Sequence, residues 1–163
     1  MESIHVGGVD PGLVDTGVVR MVFTPERRHV HVTHKVVKGT DATEVADWLL
    51  NPAAVLHRPS VFIEGYRPRS GFATDLRMVG AVRDVRVATG GQVLSNTGVK
   101  KVVRRGLMEL VGVWSFTTPT HHQDLRSAAR IALLGMLKDK HMNVLLADVV
   151  RDHLAGDSWS VRT

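Results

Sequence analysis

Short apolar runs and alternating patterns fill the N-terminal part of the chain, and both predict β-structure. Apolar runs over 4–9, 18–23 and 60–63 have the length of buried strands. Residues 29–37 alternate strictly between polar and apolar positions, as in an antiparallel strand with one face in water. A further short strand is predicted over 92–95. We therefore expect five strands, with a turn around Pro25 between the second and third.

Apolar positions three or four residues apart predict the helices. These patterns cover 41–50, 71–88, 120–140 and 144–154, with one or two helical pieces over 99–114. Residues 51–59, which include two prolines, are expected to form a loop. Thr120 and Gln123 have the spacing of a capping box, which predicts that Thr120 caps the helix that follows.

The order of these elements predicts an α/β protein with a five-stranded mixed sheet flanked by helices. The first three strands are joined by hairpins, whereas helical crossovers join the later ones and make them parallel. We expect a single domain over 1–155 and a flexible tail over 156–163.

Composition narrows the possible classes of function. The chain has 163 residues, no cysteine and a formal net charge of +5. The lack of cysteine excludes disulfides and thiolate metal sites, and a cytoplasmic setting is expected. The N-terminus shows no signal-peptide pattern, and no apolar run has the length of a membrane span. The basic balance, which rests mainly on arginine, favours a polyanionic partner such as nucleic acid.

Three acids lie at positions that one such fold can bring together. Asp10 ends the first strand before Pro11 and Gly12, Glu64 ends a later strand, and Asp124 opens a helix. Singly, these are ordinary places for a turn residue, a surface charge and a favourable charge in the first turn of a helix. Parallel neighbouring strands would place Asp10 and Glu64 at one edge of the sheet. Together the three carboxylates would suit Mg²⁺ and two-metal hydrolysis of a phosphodiester.

Several segments, in order, resemble RuvC-type Holliday junction resolvases. Residues 6–17 resemble the first motif of that family, a Gly-Ile-Asp-Pro-Gly run followed by Thr-Gly. Residues 62–66 resemble the family's second acidic strand, and residues 71–89 resemble the helix after it. Residues 96–101 resemble the segment that carries a DNA-contacting lysine, and residues 124–133 resemble the last acidic helix. The resemblance implies a ribonuclease H-like fold, a homodimer formed through helix 71–88, and paired cuts in branched DNA such as a four-way junction. It also implies Mg²⁺, replaceable by Mn²⁺, with two ions in each active site. The richness in valine and arginine and the short length suggest a bacteriophage member.

By this resemblance, Asp10, Glu64 and Asp124 are the catalytic and metal-binding residues, and the family's last helix presents a fourth ligand. That helix usually carries an acid or His three residues before an Asp. If residues 128–133 are aligned with the family's last helix, Asp124 and Ser127 occupy the positions of its two ligands. If Asp124 is instead the second of these ligands, His121 is the first. The match over 128–133 favours Ser127, although a hydroxyl is a poor ligand beside a carboxylate.

Basic and aromatic residues near these acids are candidates for DNA contact. Tyr66 lies close to where the family carries a stacking aromatic, with Phe72 as a rival that we expect to be in the core. The other candidates are Arg67, Arg69, Lys100, Lys101, Arg104 and Arg105. Three functions remain open: a Holliday junction endonuclease, a related nuclease for flaps, ends or RNA–DNA hybrids, and a junction-binding protein without catalysis.

Overall fold

The computed structural model describes residues 2–51, 57–118 and 120–163. Its strands are β1 (Ile4–Asp10), β2 (Asp15–Thr24), β3 (His29–Lys38), β4 (Ser60–Glu64), β5 (Gln92–Leu94) and β6 (Ser160–Arg162). Its helices are α1 (Ala42–Leu50), α2 (Leu76–Thr89), α3 (Val99–Val102), α4 (Arg105–Leu110), α5 (His122–Lys138) and α6 (Lys140–Leu154). A single 3₁₀ turn, Pro25–Arg27, joins β2 to β3. The middle of the loop predicted over 51–59 lies outside the described residues.

The strands form one mixed sheet in the order β5-β4-β1-β2-β3-β6. β1, β2 and β3 pair antiparallel, whereas β4 runs parallel to both β1 and β5. The α/β architecture and the mixed sheet predicted from the sequence are therefore confirmed. None of the described helices is long and apolar enough to cross a membrane.

The prediction of five strands is wrong, because β6 adds a sixth at the edge of the sheet. It lies within residues 156–163, where the sequence predicts a flexible tail, and it pairs parallel to the start of β3, with Val30 opposite Val161. Trp159 anchors this segment: its side chain is buried and its indole Nε1 donates to Asp152 at 2.9 Å. Three residues are too few for a period-2 pattern to show a strand.

Successive residues of each strand point to opposite faces of the sheet, and the two faces carry separate cores. Val6 and Phe62 belong to the core under α5 and α6. Val9 and Ile63 belong to the smaller core under α1 and α2. This alternation fixes the face on which every other residue of β1 and β4 lies.

Two predicted helix starts are wrong. Residues 71–75 are not helical, and α2 begins after Asp75, whose carboxylate accepts from the Arg77 backbone N–H at 3.0 Å. The capping-box prediction also fails, because the N-cap of α5 is His121 and not Thr120. His121 has a φ of 65° and makes no side-chain cap hydrogen bond, so the chain enters α5 through a left-handed residue.

Candidate active site

Strand pairing and pleat bring Asp10 and Glu64 together at one end of the sheet. β1 and β4 are parallel neighbours with Val9 opposite Ile63, so the next residues are Asp10 and Glu64. Alternate residues of a strand share a face, so Glu64 lies on the same face as Phe62, and Asp10 lies on the same face as Val6. Phe62 and Val6 both face α5. The carboxyl groups of Asp10 and Glu64 therefore lie on the α5 face, beyond the edge of its hydrophobic core.

Asp10 and Glu64 are electrostatically strained as a pair. Burial, a hydrogen bond with Glu64 and the negative charges of Glu64 and Asp124 raise the pKa of Asp10 to about 9. At neutral pH the pair therefore holds a proton, since two adjacent buried carboxylates cannot both ionise without a compensating charge. Asn96 donates from its side-chain nitrogen to Glu64 Oε1 at 2.5 Å and fixes one side of that carboxylate.

Two glycines let α5 approach the sheet closely enough to bring Asp124 to this pair. A Cβ at Gly8 would lie 1.9 Å from the Ala128 backbone oxygen, and a Cβ at Gly17 would lie 2.6 Å from the Asp124 backbone oxygen. Any side chain at either position would push the start of α5 away. The glycines of the N-terminal motif thus position a carboxylate more than a hundred residues away in the chain.

Asp15, which sequence reasoning did not identify as a site residue, also faces α5. Its Oδ1 is buried and has no hydrogen-bond partner, and its Oδ2 lies 3.6 Å from His121 Nδ1. The same His121 nitrogen lies 3.3 Å from Asp124 Oδ2. The imidazole therefore links the first turn of α5 to the start of β2, and the only sequence signal for Asp15 was its place in the motif.

Ser127 lies one turn further along α5 and lines a cleft with Glu64 and Lys100. His121 instead lies against Asp15 and Asp124. The structure thus places the two candidate fourth ligands on different sides of Asp124. Both registers considered for the last acidic helix stay open.

The donor set suits a hard divalent cation. The Asp10–Glu64 pair has a proton where a cation would supply the missing positive charge, and the orphaned Asp15 Oδ1 is a further oxygen donor nearby. In the described part of the chain, no three His, Asp or Glu side chains are already arranged around a single point that could hold a metal ion. Loss of the proton and small side-chain movements would be part of cation binding.

Comparisons with known proteins support the fold. No protein-family profile and no curated protein sequence matches the chain. Among solved structures, Thermus thermophilus RuvC matches with a TM-score of 0.52 and 22% identity, over 80% of this chain and 92% of that one. The chain has the ribonuclease H-like fold of RuvC. The same RuvC in complex with Holliday junction substrate matches with a TM-score of 0.52 and 19% identity, over 80% of this chain and 90% of that one. The yeast mitochondrial Holliday junction resolvase matches with a TM-score of 0.47 and 15% identity, over 78% and 75% of the two chains.

In this RuvC fold, the segment after β4 holds three of the predicted DNA-contacting residues. The Tyr66 hydroxyl accepts from the Asp75 backbone N–H at 3.0 Å, so this side chain supports the start of α2. Arg67 donates to Thr97 Oγ1 at 2.7 Å and ties this segment to the one before α3. Arg69 is exposed. Phe72, expected in the core, is 72% exposed, and that expectation is wrong.

The basic cluster near α3 and α4 divides into two parts. Lys100 and Lys101 are exposed and line the same cleft as Glu64. Arg104 donates to the Lys101 backbone oxygen at 3.3 Å. Arg105 pairs with Glu109 and lies 4.7 Å from the ring centre of Trp114. Lys100 and Lys101 thus share a cleft with Glu64, whereas Arg105 is engaged elsewhere on the surface.

Proposed function

We propose that this protein is a metal-dependent, structure-selective DNA endonuclease that resolves Holliday junctions by paired phosphodiester cuts. The observation that carries the proposal is the crowding of Asp10 against Glu64, with Asp124 close enough to raise the pKa of Asp10. Buried carboxylates that repel one another are costly to fold, and they are commonly found where a cation neutralises them. The RuvC fold supports the assignment of the substrate.

Asp10, Glu64 and Asp124 would hold Mg²⁺ or Mn²⁺, with Ser127 or His121 as a fourth ligand. The bound ions would supply stabilisation of the negative charge that develops on the phosphodiester and its leaving oxygen. The protein's own part is positional. Asn96 holds one oxygen of Glu64, and His121 links Asp124 to Asp15 at the start of β2, so each carboxylate keeps one orientation.

The residues around the acids would bind the branched DNA. Lys100 and Lys101 are placed to contact phosphates beside Glu64, and Arg69 extends the basic surface along the segment after β4. Phe72 is the better candidate for stacking on an unpaired base, because it is exposed whereas the Tyr66 hydroxyl is bonded within the protein. Arg67, Arg104 and Arg105 would act mainly by raising the local positive potential.

Paired cuts require two active sites, and α2 offers a surface for a homodimer. Leu76 and Val87 are each 78% exposed, and Val79 is 43% exposed on the same helix. Together these three side chains leave an apolar surface on α2 that a monomer would expose to water. Replacement of Val79 with Asp is expected to convert a dimer to a monomer in sedimentation measurements without loss of the fold.

The proposal is tested by incubating the purified protein with a labelled synthetic four-way junction, and separately with a flap substrate, in Mg²⁺ and then in Mn²⁺. The matched control is Asp10→Asn, which keeps the side-chain shape and replaces one metal-binding carboxylate oxygen with an amide. Symmetric nicks in the junction that vanish in the control are expected. Cleavage confined to flaps would instead indicate a related nuclease of the same fold. Tight junction binding without any metal-dependent cut would indicate a binding protein.

A further inference from the structure

The cleft beside Glu64 contains an arginine that the proposed metal chemistry does not use. Glu64, Lys100, Ser127 and Arg130 line this cleft, which has a volume of about 350 Å³. Arg130 lies on α5 three residues after Ser127, so both side chains leave the helix on the same side. The cleft therefore has Glu64 and a guanidinium group in its lining.

Arg130 is not satisfied by the protein around it. Its Nε is buried and has no hydrogen-bond partner. Burial and the neighbouring Arg126 lower the pKa of Arg130, and Glu64 raises it. A buried donor without an acceptor is costly, and few such groups occur in native proteins. Since no hydrogen bond or ion pair engages this guanidinium among the described residues, its terminal nitrogens are open to an acceptor that enters the cleft.

The neighbouring groups leave this acceptor position open. Asn96 already donates to Glu64 Oε1, so this oxygen already accepts one hydrogen bond from the protein. Arg126 is held away by a 2.6 Å hydrogen bond to the Trp114 backbone oxygen and by stacking on the Trp114 ring at 4.0 Å. Ser127 contributes a small neutral hydroxyl, whereas a carboxylate at that position would pair with Arg130 three residues later.

We propose that Arg130, together with Lys100, binds a backbone phosphate of the DNA next to the phosphate that is cut. This inference rests on the proposed function and adds a positioning site to it. The planar guanidinium presents paired N–H donors that match two phosphate oxygens, and Lys100 adds a point charge at the exposed side of the cleft. A DNA strand held there would be fixed in register against Asp10 and Glu64.

The test measures binding of a fluorescent four-way junction by proteins that all carry Asp10→Asn, over about 50 to 200 mM salt. Arg130→Gln is expected to reduce the slope of log K against log salt by about 0.9 and to weaken binding about tenfold. Arg130→Lys should keep the slope but bind the junction more weakly, because lysine keeps the positive charge and lacks the paired N–H donors of the guanidinium. The matched control is Arg27→Gln, at an exposed position in the turn at the opposite end of the sheet. This variant should change neither the salt slope nor the affinity for the junction.

Melting temperatures separate binding from folding. Arg130→Gln should change the melting temperature little, because Arg130 makes no hydrogen bond or ion pair with the described residues. A lower melting temperature with an unchanged salt slope would make Arg130 structural and overturn the inference. An Arg130-dependent stabilisation by inorganic phosphate, again with an unchanged slope, would indicate a free-phosphate site and overturn the assignment to DNA. Failure of the wild type to cut junctions would count against the proposed function alone, since the slope reports binding.

Discussion

The raised pKa of Asp10 predicts an unusual dependence of stability on pH in the metal-free protein. The folded pair keeps a proton up to about pH 9, whereas an unfolded aspartate releases it near its ordinary value of 3.8. The stabilisation from this proton is therefore complete below pH 3.8 and is lost as the pH rises towards 9. Between these values the unfolded state binds about one proton fewer, so the free energy of unfolding falls by about 1.4 kcal/mol per pH unit.

The window from about pH 7 to pH 8.5 separates this effect from the histidine shifts. Burial lowers the pKa values of His5, His31 and His34. Their contribution to the free energy of unfolding therefore changes with pH only below the ordinary histidine pKa of 6.5. Across the window the free energy of unfolding should fall by about 2 kcal/mol. For a chain of this length, that corresponds to a fall in melting temperature of roughly 4–8 °C.

The assay is thermal unfolding in EDTA, followed by fluorescence or circular dichroism at several pH values. Asp10→Asn should flatten the dependence, since it removes the titrating carboxyl group. Glu64→Gln should make the dependence shallower without abolishing it, because burial still raises the pKa of Asp10. Asp47→Asn, at an exposed position on α1, should keep it. Mn²⁺ should stabilise the wild type increasingly as the pH rises, because its binding displaces the proton. A wild-type melting temperature that is constant or rises over the window, or an equal slope in Asp10→Asn, would refute the reasoning.

Three further predictions follow from packing and exposure. Gly17→Ala should lower the free energy of unfolding by about 1–3 kcal/mol and weaken Mn²⁺ binding in calorimetry, because its Cβ would meet the α5 backbone. Gly106→Ala, whose Cβ meets nothing within 4 Å, should be neutral or stabilising by up to about 1 kcal/mol. In urea unfolding, Trp159→Ala should cost about 3–5 kcal/mol, and Val161→Ala, which is 38% exposed, less than about 1 kcal/mol; equal costs would mean that Trp159 does not anchor β6. Phe72→Ala should leave the melting temperature unchanged and weaken junction binding by about 1–3 kcal/mol; unchanged binding would exclude base stacking by this residue.

The sequence was sufficient to predict the position of the two strand-end acids. The apolar run before Glu64 has the length of a buried strand, and β4 spans Ser60–Glu64 as predicted. A helical crossover requires parallel strands, so Asp10 and Glu64 had to end at the same edge if β1 and β4 were neighbours. The sequence left this neighbour relation as a condition, and the parallel pairing of β1 with β4 supplies it.

Other features depend on contacts that local pattern does not encode. β6 is held by Trp159 and by pairing with β3 more than a hundred residues earlier in the chain. The start of α2 depends on the Tyr66 hydroxyl and the Asp75 cap, which a continuous apolar periodicity from 71 concealed. Asp15 and Arg130 became site candidates only when their unpartnered buried atoms were seen.

The most direct test of the proposed function uses a supercoiled plasmid that extrudes a cruciform, incubated with the protein and Mg²⁺ or Mn²⁺. Paired cuts across the junction within the life of one complex convert the circle directly to a linear product, whereas unpaired cuts give nicked circles. We predict linear product from the wild type and none from Asp10→Asn or Glu64→Gln. Nicked circles alone, or equal product from the wild type and Asp10→Asn, would contradict the account.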